Sequence, residues 1–143
     1  MKDWASNIVC SQVPRVALAS VWRHAAPLLM KAKHTANGIM DEEDLFNEIE
    51  ARRMVLWVIF KGEDIIAAFT TRISQFPKIR VMHIDWVGGS KMREWIDLAM
   101  GEIRKHAKEE GCSRLEATGR GAWLRWVDPR GWSAMHITYG MEV

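Results

Sequence analysis

Apolar and polar positions recur with two different periods along the chain, one of about 3.6 residues and one of two. A helix is predicted over residues 16–30, with Pro27 expected to kink or end it nearby. A shorter amphipathic helix follows the acidic run at residues 41–44, as the helix dipole favours. The strongest helical pattern covers residues 91–110 and stops at Gly111, a residue suited to the C-terminal end of a helix.

Short apolar runs between turn residues predict strands in the rest of the chain. A helix lies between the fourth and fifth of these strands, so the two should run parallel to each other. A short helix is expected over residues 119–127, which gives the order β-α-α-β-β-β-α-β-α-β. The predicted strands cover residues 8–10, 55–60, 65–73, 79–87, 112–118 and 132–143.

Composition indicates one domain over residues 1–143, because 143 residues with 48% hydrophobic content can bury one core. The balance of 20 basic against 18 acidic residues argues against nucleic acid and membrane surfaces as partners. We find no signal peptide and no apolar run of the ~18 residues that a membrane span needs. Cys10 and Cys112 form no disulfide framework, and the five histidines lack the spacing of metal ligands, so we expect a cytoplasmic protein without a metal.

The stretch VMHIDWVGGSKMREW from Val81 joins an apolar strand to the long helix through Gly-Gly-Ser. Glycines allow close backbone approach, and N–H groups at a helix start attract anions, so this junction is a candidate phosphate cradle. The alternative is a plain turn followed by a helix cap. The candidate cradle consists of Gly88, Gly89, Ser90, Lys91 and Met92.

His83 and Asp85 alternate on the fourth predicted strand, so both side chains face the same side of the sheet. Such a pair could remove a proton from a substrate ammonium group. It could equally be a structural hydrogen-bonded pair on a partly solvated face.

Tryptophan and arginine cluster in the last quarter of the chain. The cluster has three interpretations: a core helix whose indoles are covered by arginine stems, a surface for a protein partner, or a single-stranded nucleic acid site. The balanced charge argues against the last of these. The candidate partner surface consists of Arg120, Trp123, Arg125, Trp126 and Arg130.

Three segments in this order resemble the GNAT superfamily, the GCN5-related N-acetyltransferases. They are LWVIFKGEDIIAAFTTR, VMHIDWVGGS before the long helix, and the ending AWLRWVDPRGWSAMHITYGMEV. The resemblance implies an α/β fold: a mixed, mainly antiparallel sheet with one central parallel strand pair and helices on both faces. The segment GRGAWLRWVDPRGW also resembles short GNAT-like proteins encoded in phage genomes.

The resemblance also implies where the chemistry would lie. In this family the two parallel strands part, acetyl-CoA enters the gap, and its pyrophosphate rests on N–H groups at the start of the long helix. Here those groups belong to Gly89 through Met92, and His83 or Asp85 would be the general base. Val127 stands at the position of the tyrosine that often acts as general acid in this family. Asp85 or Trp86 stands where the family's cofactor motif begins with a basic or amide residue.

Two hypotheses about function follow. In the first, the protein is an acetyl-CoA-dependent N-acyltransferase with a modified cofactor loop, acting on an amine that the sequence does not name. In the second, it is a non-catalytic GNAT-like interaction or structural protein, phage-encoded and virion-associated, with a degenerate active site. In either case an unpaired sheet edge at the last strand would allow a homodimer.

Overall fold

The computed structural model describes residues 7–32 and 38–143. The predicted domain also includes residues 1–6 and 33–37, which lie outside the described residues. Within the described ranges, no helix is both long and apolar enough to cross a membrane.

Five strands form one sheet in the order β1-β2-β3-β4-β5. The first four strands pair antiparallel, and β5 pairs parallel to β4, as the crossover between them predicts. The strands are β1 (Ile8–Gln12), β2 (Val55–Lys61), β3 (Asp64–Gln75), β4 (Arg80–Gly89) and β5 (Arg114–Ala117).

Helices pack on both faces of the sheet, so the predicted α/β layering is confirmed. One core lies under α1 (Leu18–Leu29) and α2 (Glu42–Glu50), and the other lies under α3 (Met92–Glu109). The acidic start of α2 is confirmed as a capping box, in which the carboxylates of Asp41 and Asp44 each accept the other residue's N–H.

A β-bulge interrupts the pairing of β3 with β4. Phe69 pairs with Val87 and Thr71 pairs with Ile84, so Thr70 of β3 stands opposite two residues of β4, Asp85 and Trp86. The hydroxyl of Thr70 accepts the N–H of Trp86 at 3.3 Å. The bulge changes which face later residues take: Ile84 belongs to the core under α3, whereas Trp86 belongs to the core under α1 and α2.

The predicted last strand over residues 132–143 is wrong, because these residues pair with no strand of the described structure. They have no regular secondary structure and follow a left-handed Gly131 and the α4 helix (Leu124–Val127), which is shorter than the helix predicted over 119–127. No described strand lies beside them to bury their alternating pattern. As a consequence, the parallel pair lies at one edge of the sheet, not at its centre.

Candidate active site

The pairing of the two parallel strands ends partway along β4, because β5 ends at Ala117. Their register runs from Val81 opposite Arg114 to Ile84 opposite Ala117. β4 continues for residues 85–89 with β3 as its neighbour on one side, and no described strand pairs with its other side. We call this unpaired side of residues 85–89, just before α3, the wedge.

A row of charged side chains crosses the sheet at this point. The strand register places Arg72 of β3 beside His83 of β4, and His83 beside Glu116 of β5. The Nε of Arg72 lies 2.5 Å from Oδ2 of Asp85, and the Nδ1 of His83 lies 3.7 Å from Oε1 of Glu116. We call these four residues the charged row; its members lie on the face of the sheet on which α1 and α2 pack.

His83 is the least satisfied member of the charged row. Its side chain is 13% exposed, and its Nε2 is buried without a hydrogen-bond partner among the described residues. Burial lowers the pKa of His83 from its usual 6.5, and the positive Arg72 lowers it further, against the opposing effect of Asp85 and Glu116. The carboxylate of Glu116 lies on the Nδ1 side of the ring, and Nε2 is the ring nitrogen that is buried without a partner.

His83 and Asp85 lie in the same charged row, and no motif in the sequence pointed to their neighbours Arg72 and Glu116. These two residues lie on the neighbouring strands and enter the site through the register. A register is set by the bulge and by the length of the crossover, neither of which a short motif displays. The one available signal was that Arg72 interrupts a strand pattern otherwise rich in apolar residues.

Packing accounts for the two glycines of the candidate cradle. A Cβ on Gly88 would overlap the carbonyl oxygen of Leu28 in α1. Gly89 has φ of +142°, and a Cβ there would overlap the backbone of Ala67 on β3. Both glycines belong to β4, so they serve the close approach of α1 and β3.

The start of α3 retains part of the predicted cradle. Ser90 donates its N–H to the carbonyl of Ile66 at 2.9 Å, and its carbonyl accepts the indole N–H of Trp95 at 2.8 Å. Lys91 adopts a left-handed conformation with φ of 58° and precedes the first helical residue, Met92. The backbone N–H groups of Met92 and Arg93 have no hydrogen-bond acceptor among the described residues, so they are the groups of the helix start that an anion could use.

The charge at this helix start is mixed. Glu94 lies in the first turn of α3, where its carboxylate pairs with Lys61 of β2 at 2.6 Å. The pairing lowers the pKa of Glu94 and raises that of Lys61. Lys91 and Arg93 add two further positive charges, so the first turn is positive overall.

The Trp–Arg cluster is engaged largely with its own chain. Trp126 packs against the core under α3, and the guanidinium of Arg93 lies 5.9 Å from its ring centroid. Arg130 pairs with Asp97 of α3 at 2.7 Å and donates to the carbonyl of Trp126. Trp123 is half-buried. The remaining members of the predicted partner surface, Arg120 and Arg125, are exposed.

Within residues 7–32 and 38–143, no group of three or more histidine, cysteine, aspartate or glutamate side chains is placed to hold a metal ion. The thiol of Cys10 is largely buried beneath α3, and this burial raises its pKa to about 12. A thiol with so high a pKa is a poor nucleophile at neutral pH.

The chain was compared with known proteins at three levels. No protein-family model matches it, and no curated protein sequence matches it. Solved structures do match, and their low sequence identities mean that the likeness concerns the fold alone.

Three of these structures illustrate the likeness. An aminoglycoside acetyltransferase from an uncultured soil metagenomic sample, in complex with sisomicin, has a TM-score of 0.71 at 12% identity, covering 98% of this chain and 100% of that one. Glucosamine-6-phosphate N-acetyltransferase from Arabidopsis thaliana has a TM-score of 0.67 at 18% identity, covering 94% and 97%. A transcriptional regulator from Bacillus halodurans C-125 has a TM-score of 0.68 at 19% identity, covering 95% and 99%. The chain therefore has the GNAT-like fold.

Proposed function

We propose that this protein is an N-acyltransferase that uses acetyl-CoA as acyl donor and a primary amine as acceptor. The observation that carries the proposal is the position of His83. An unpartnered, buried imidazole nitrogen lies one residue before the point where the pairing of β4 with β5 ends. The fold of the matching acetyltransferases supports the proposal and does not by itself establish it.

The residues around the wedge fit acetyl-CoA. The pantetheine arm carries two amides, and residues 85–89 of β4 offer backbone on a side that no described strand occupies. The free N–H groups of Met92 and Arg93 suit a pyrophosphate, and Lys91 adds positive charge. This pyrophosphate site is narrower than the sequence predicted, because Gly88 and Gly89 lie within β4 and Ser90 donates to β3.

His83 is suited to act as the general base. Its lowered pKa keeps the imidazole neutral at pH 7, so Nε2 can accept a proton from the amine as the amine attacks the thioester carbonyl. In this step a C–N bond forms, the C–S bond breaks, and CoA leaves as its thiolate. The carboxylates of Asp85 and Glu116 stabilise the imidazolium that results, and the Arg72 guanidinium holds Asp85 in place.

The acceptor side of the site would be formed by α1, α2 and the turn near Phe76, where the N–H of Phe76 donates to the carbonyl of Ile79. The general acid for the leaving thiolate has no assigned residue. Val127 occupies the sequence position of the family's tyrosine, and Tyr139 lies in the segment after α4.

The alternative function, an interaction or structural protein of phage origin, depends on an exposed Trp–Arg surface. Trp126 and Arg130 contribute to packing against α3 instead, which leaves Arg120, Arg125 and part of Trp123 for a partner. The exposed surface left for a partner is therefore small, which supports the enzyme proposal over the interaction protein.

A thermal melt with acetyl-CoA tests the proposal. A ligand present at ~100 times its Kd adds about 2.7 kcal/mol to the free energy of unfolding, so the melting temperature should rise. Lys91→Gln at the start of α3 should reduce the rise, whereas Lys105→Gln near the other end of the helix should leave it unchanged. Release of CoA thiol with a panel of amines (a polyamine, an amino sugar, an aminoglycoside and a lysine peptide) would then define the acceptor. Absence of any rise at millimolar acetyl-CoA would remove the enzyme proposal.

A further inference from the structure

A second gap in the sheet lies between β2 and β3, whereas the wedge lies beside β4. β2 begins at Val55, which pairs with Thr71, but β3 continues to Gln75 with β4 as its partner. Residues 72–75 of β3 therefore have a strand on one side and no described strand on the other. A cavity of about 400 Å³ lies here, a size typical of small-molecule sites. We call this cavity the notch; its apolar lining is Val55, Ile73 and Met82, and its basic lining is Arg52, Arg53 and Arg72.

The apolar side of the notch is a preformed surface. Its three apolar residues all contribute to the core under α3. His106 of α3 also lines the notch, and its ring is held from two sides. The amide of Gln12 is hydrogen-bonded to Nδ1 at 3.1 Å, and the indole of Trp57 meets the ring edge-on with 5.5 Å between the ring centroids. A ligand that rests on this surface orders few side chains, which lowers the cost of binding.

The basic side of the notch carries a charge that its own chain does not neutralise. Arg53 pairs with Glu48, and Arg72 pairs with Asp85 of the charged row. Arg52 has neither an ion pair nor a side-chain hydrogen bond among the described residues. No described carboxylate lines the notch, so the guanidinium of Arg52 is left to attract an anion from solution.

Arg52 also holds a backbone conformation that glycine adopts at less cost. It follows Ala51, the C-cap of α2, and has φ of 64°, in the left-handed region. The position after a helix C-cap favours glycine in this conformation, because a Cβ is crowded there. A strained position filled by an arginine without a described partner points to a role for the guanidinium outside the fold.

We propose that the notch binds a small carboxylic acid with an apolar body, such as an aromatic or branched aliphatic acid. The planar guanidinium of Arg52 suits the two oxygens of a carboxylate, and the apolar body rests on the core residues of the other side. One uncompensated guanidinium matches a monoanion, whereas a phosphate monoester carries more than one charge at pH 7. The notch and the wedge lie on different strand pairs, so this inference does not depend on acyl transfer.

A titration of the isotope-labelled full chain with benzoate, followed by heteronuclear NMR without acetyl-CoA, tests the inference. Benzoate at millimolar concentration should shift the amide signals of Thr71 and Ile73 in a saturable way. Neutral benzamide has nearly the same shape and should bind at least about tenfold more weakly, because the ion pair with Arg52 is lost. Phenyl phosphate should bind no more tightly than benzoate.

Substitutions at Arg52 identify the group that binds. Arg52→Gln should weaken benzoate binding at least about tenfold. Arg23→Gln is the matched control, since Arg23 is an exposed arginine of α1, and it should leave the affinity unchanged. Arg52→Gly relieves the left-handed backbone, so it should raise the melting temperature and weaken benzoate binding as much as Arg52→Gln does. Loss of binding in a more stable protein excludes unfolding as its cause.

The inference is overturned if Thr71 and Ile73 show no shift at millimolar benzoate, or if Arg52→Gln binds benzoate as tightly as the native protein. Benzamide that binds as tightly as benzoate would overturn the role of the charge. Phenyl phosphate that binds more tightly would overturn the assignment of a carboxylate. Inorganic sulfate that reproduces the benzoate shifts at the same concentration would show a basic surface open to any anion, and would overturn the inference as well.

Discussion

The two halves of β4 differ in what surrounds them. Residues 80–84 have a strand on each side and follow regular alternation, with Met82 and Ile84 directed to the core under α3. Residues 85–89 have β3 alone as a strand neighbour, begin with a bulge, and end in two glycines pressed against α1 and β3. The first half is held by the sheet, and the second half is held by helix packing.

His83 lies near the boundary between the two halves, and this position explains its properties. The paired half fixes its neighbours Arg72 and Glu116, and its Nε2 is buried without a hydrogen-bond partner among the described residues. The strand pairing therefore gives this imidazole the rigid support that a catalytic group needs.

The largest expected effect concerns the second half of β4. Gly88→Ala should lower the free energy of unfolding by about 3 kcal/mol, because the added methyl overlaps a backbone carbonyl that cannot move without displacing α1. Urea denaturation measures the change.

Gly101→Ala is the control for this substitution, since Gly101 lies in α3 with open space where its Cβ would be. There the same change should raise the free energy of unfolding by roughly 0.5–1 kcal/mol. A Gly88→Ala protein as stable as the native one would show that α1 does not hold the second half of β4.

The next effect concerns the boundary itself. His83→Gln should lower kcat/KM for amine acetylation by about 100-fold or more, because the base is lost while the acetyl-CoA contacts remain. The KM for acetyl-CoA should change little. His24→Gln on the exposed surface of α1 is the control and should retain native kinetics. Equal losses from the two substitutions would exclude His83 as the base.

A smaller effect is expected on stability as a function of pH. The folded state lowers the pKa of His83 below 6.5, so this residue contributes stability that is complete above that pH and is lost as the pH falls through the folded pKa. The melting temperature should therefore decrease from pH 7 to pH 5, and His83→Gln should flatten that decrease. A slope that is identical in the two proteins would assign the pH dependence to other groups.

The smallest effect is a change in the pKa of His83 caused by its neighbours. Arg72→Gln removes a positive charge and should raise this pKa, whereas Glu116→Gln removes a negative charge and should lower it. NMR titration of the imidazole protons measures both shifts. Shifts in the same direction would contradict the arrangement of the charged row.

Much of the fold follows from the sequence because its signals are local. The helical period of α3, the acidic start of α2 and the crossover before β5 each appear within one short stretch, and all three are confirmed. The last strand was predicted from an equally clear local pattern and is wrong, because a strand also requires a neighbour. Alternation shows that residues 132–143 suit a sheet and does not show which chain provides it.

The candidate site was less predictable for the same reason. His83 and Asp85 lie on one strand and were found together, whereas Arg72 and Glu116 join them across strands. The Gly-Gly pair was interpreted as a phosphate cradle or a turn, and neither interpretation included a helix resting on Gly88. Contacts of that kind depend on where α1 crosses the sheet, which its own sequence does not specify.

The extra residue opposite Thr70 shifts the phase of everything that follows it in β4. A one-residue insertion between Trp86 and Val87 would move Val87 into the place of Gly88, against the carbonyl of Leu28, where there is room for a hydrogen atom alone. Gene variants with insertions should therefore be depleted between positions 86 and 88 and tolerated in the surface turn between β2 and β3. The bulge makes the length of this strand, and not just its composition, a condition for folding.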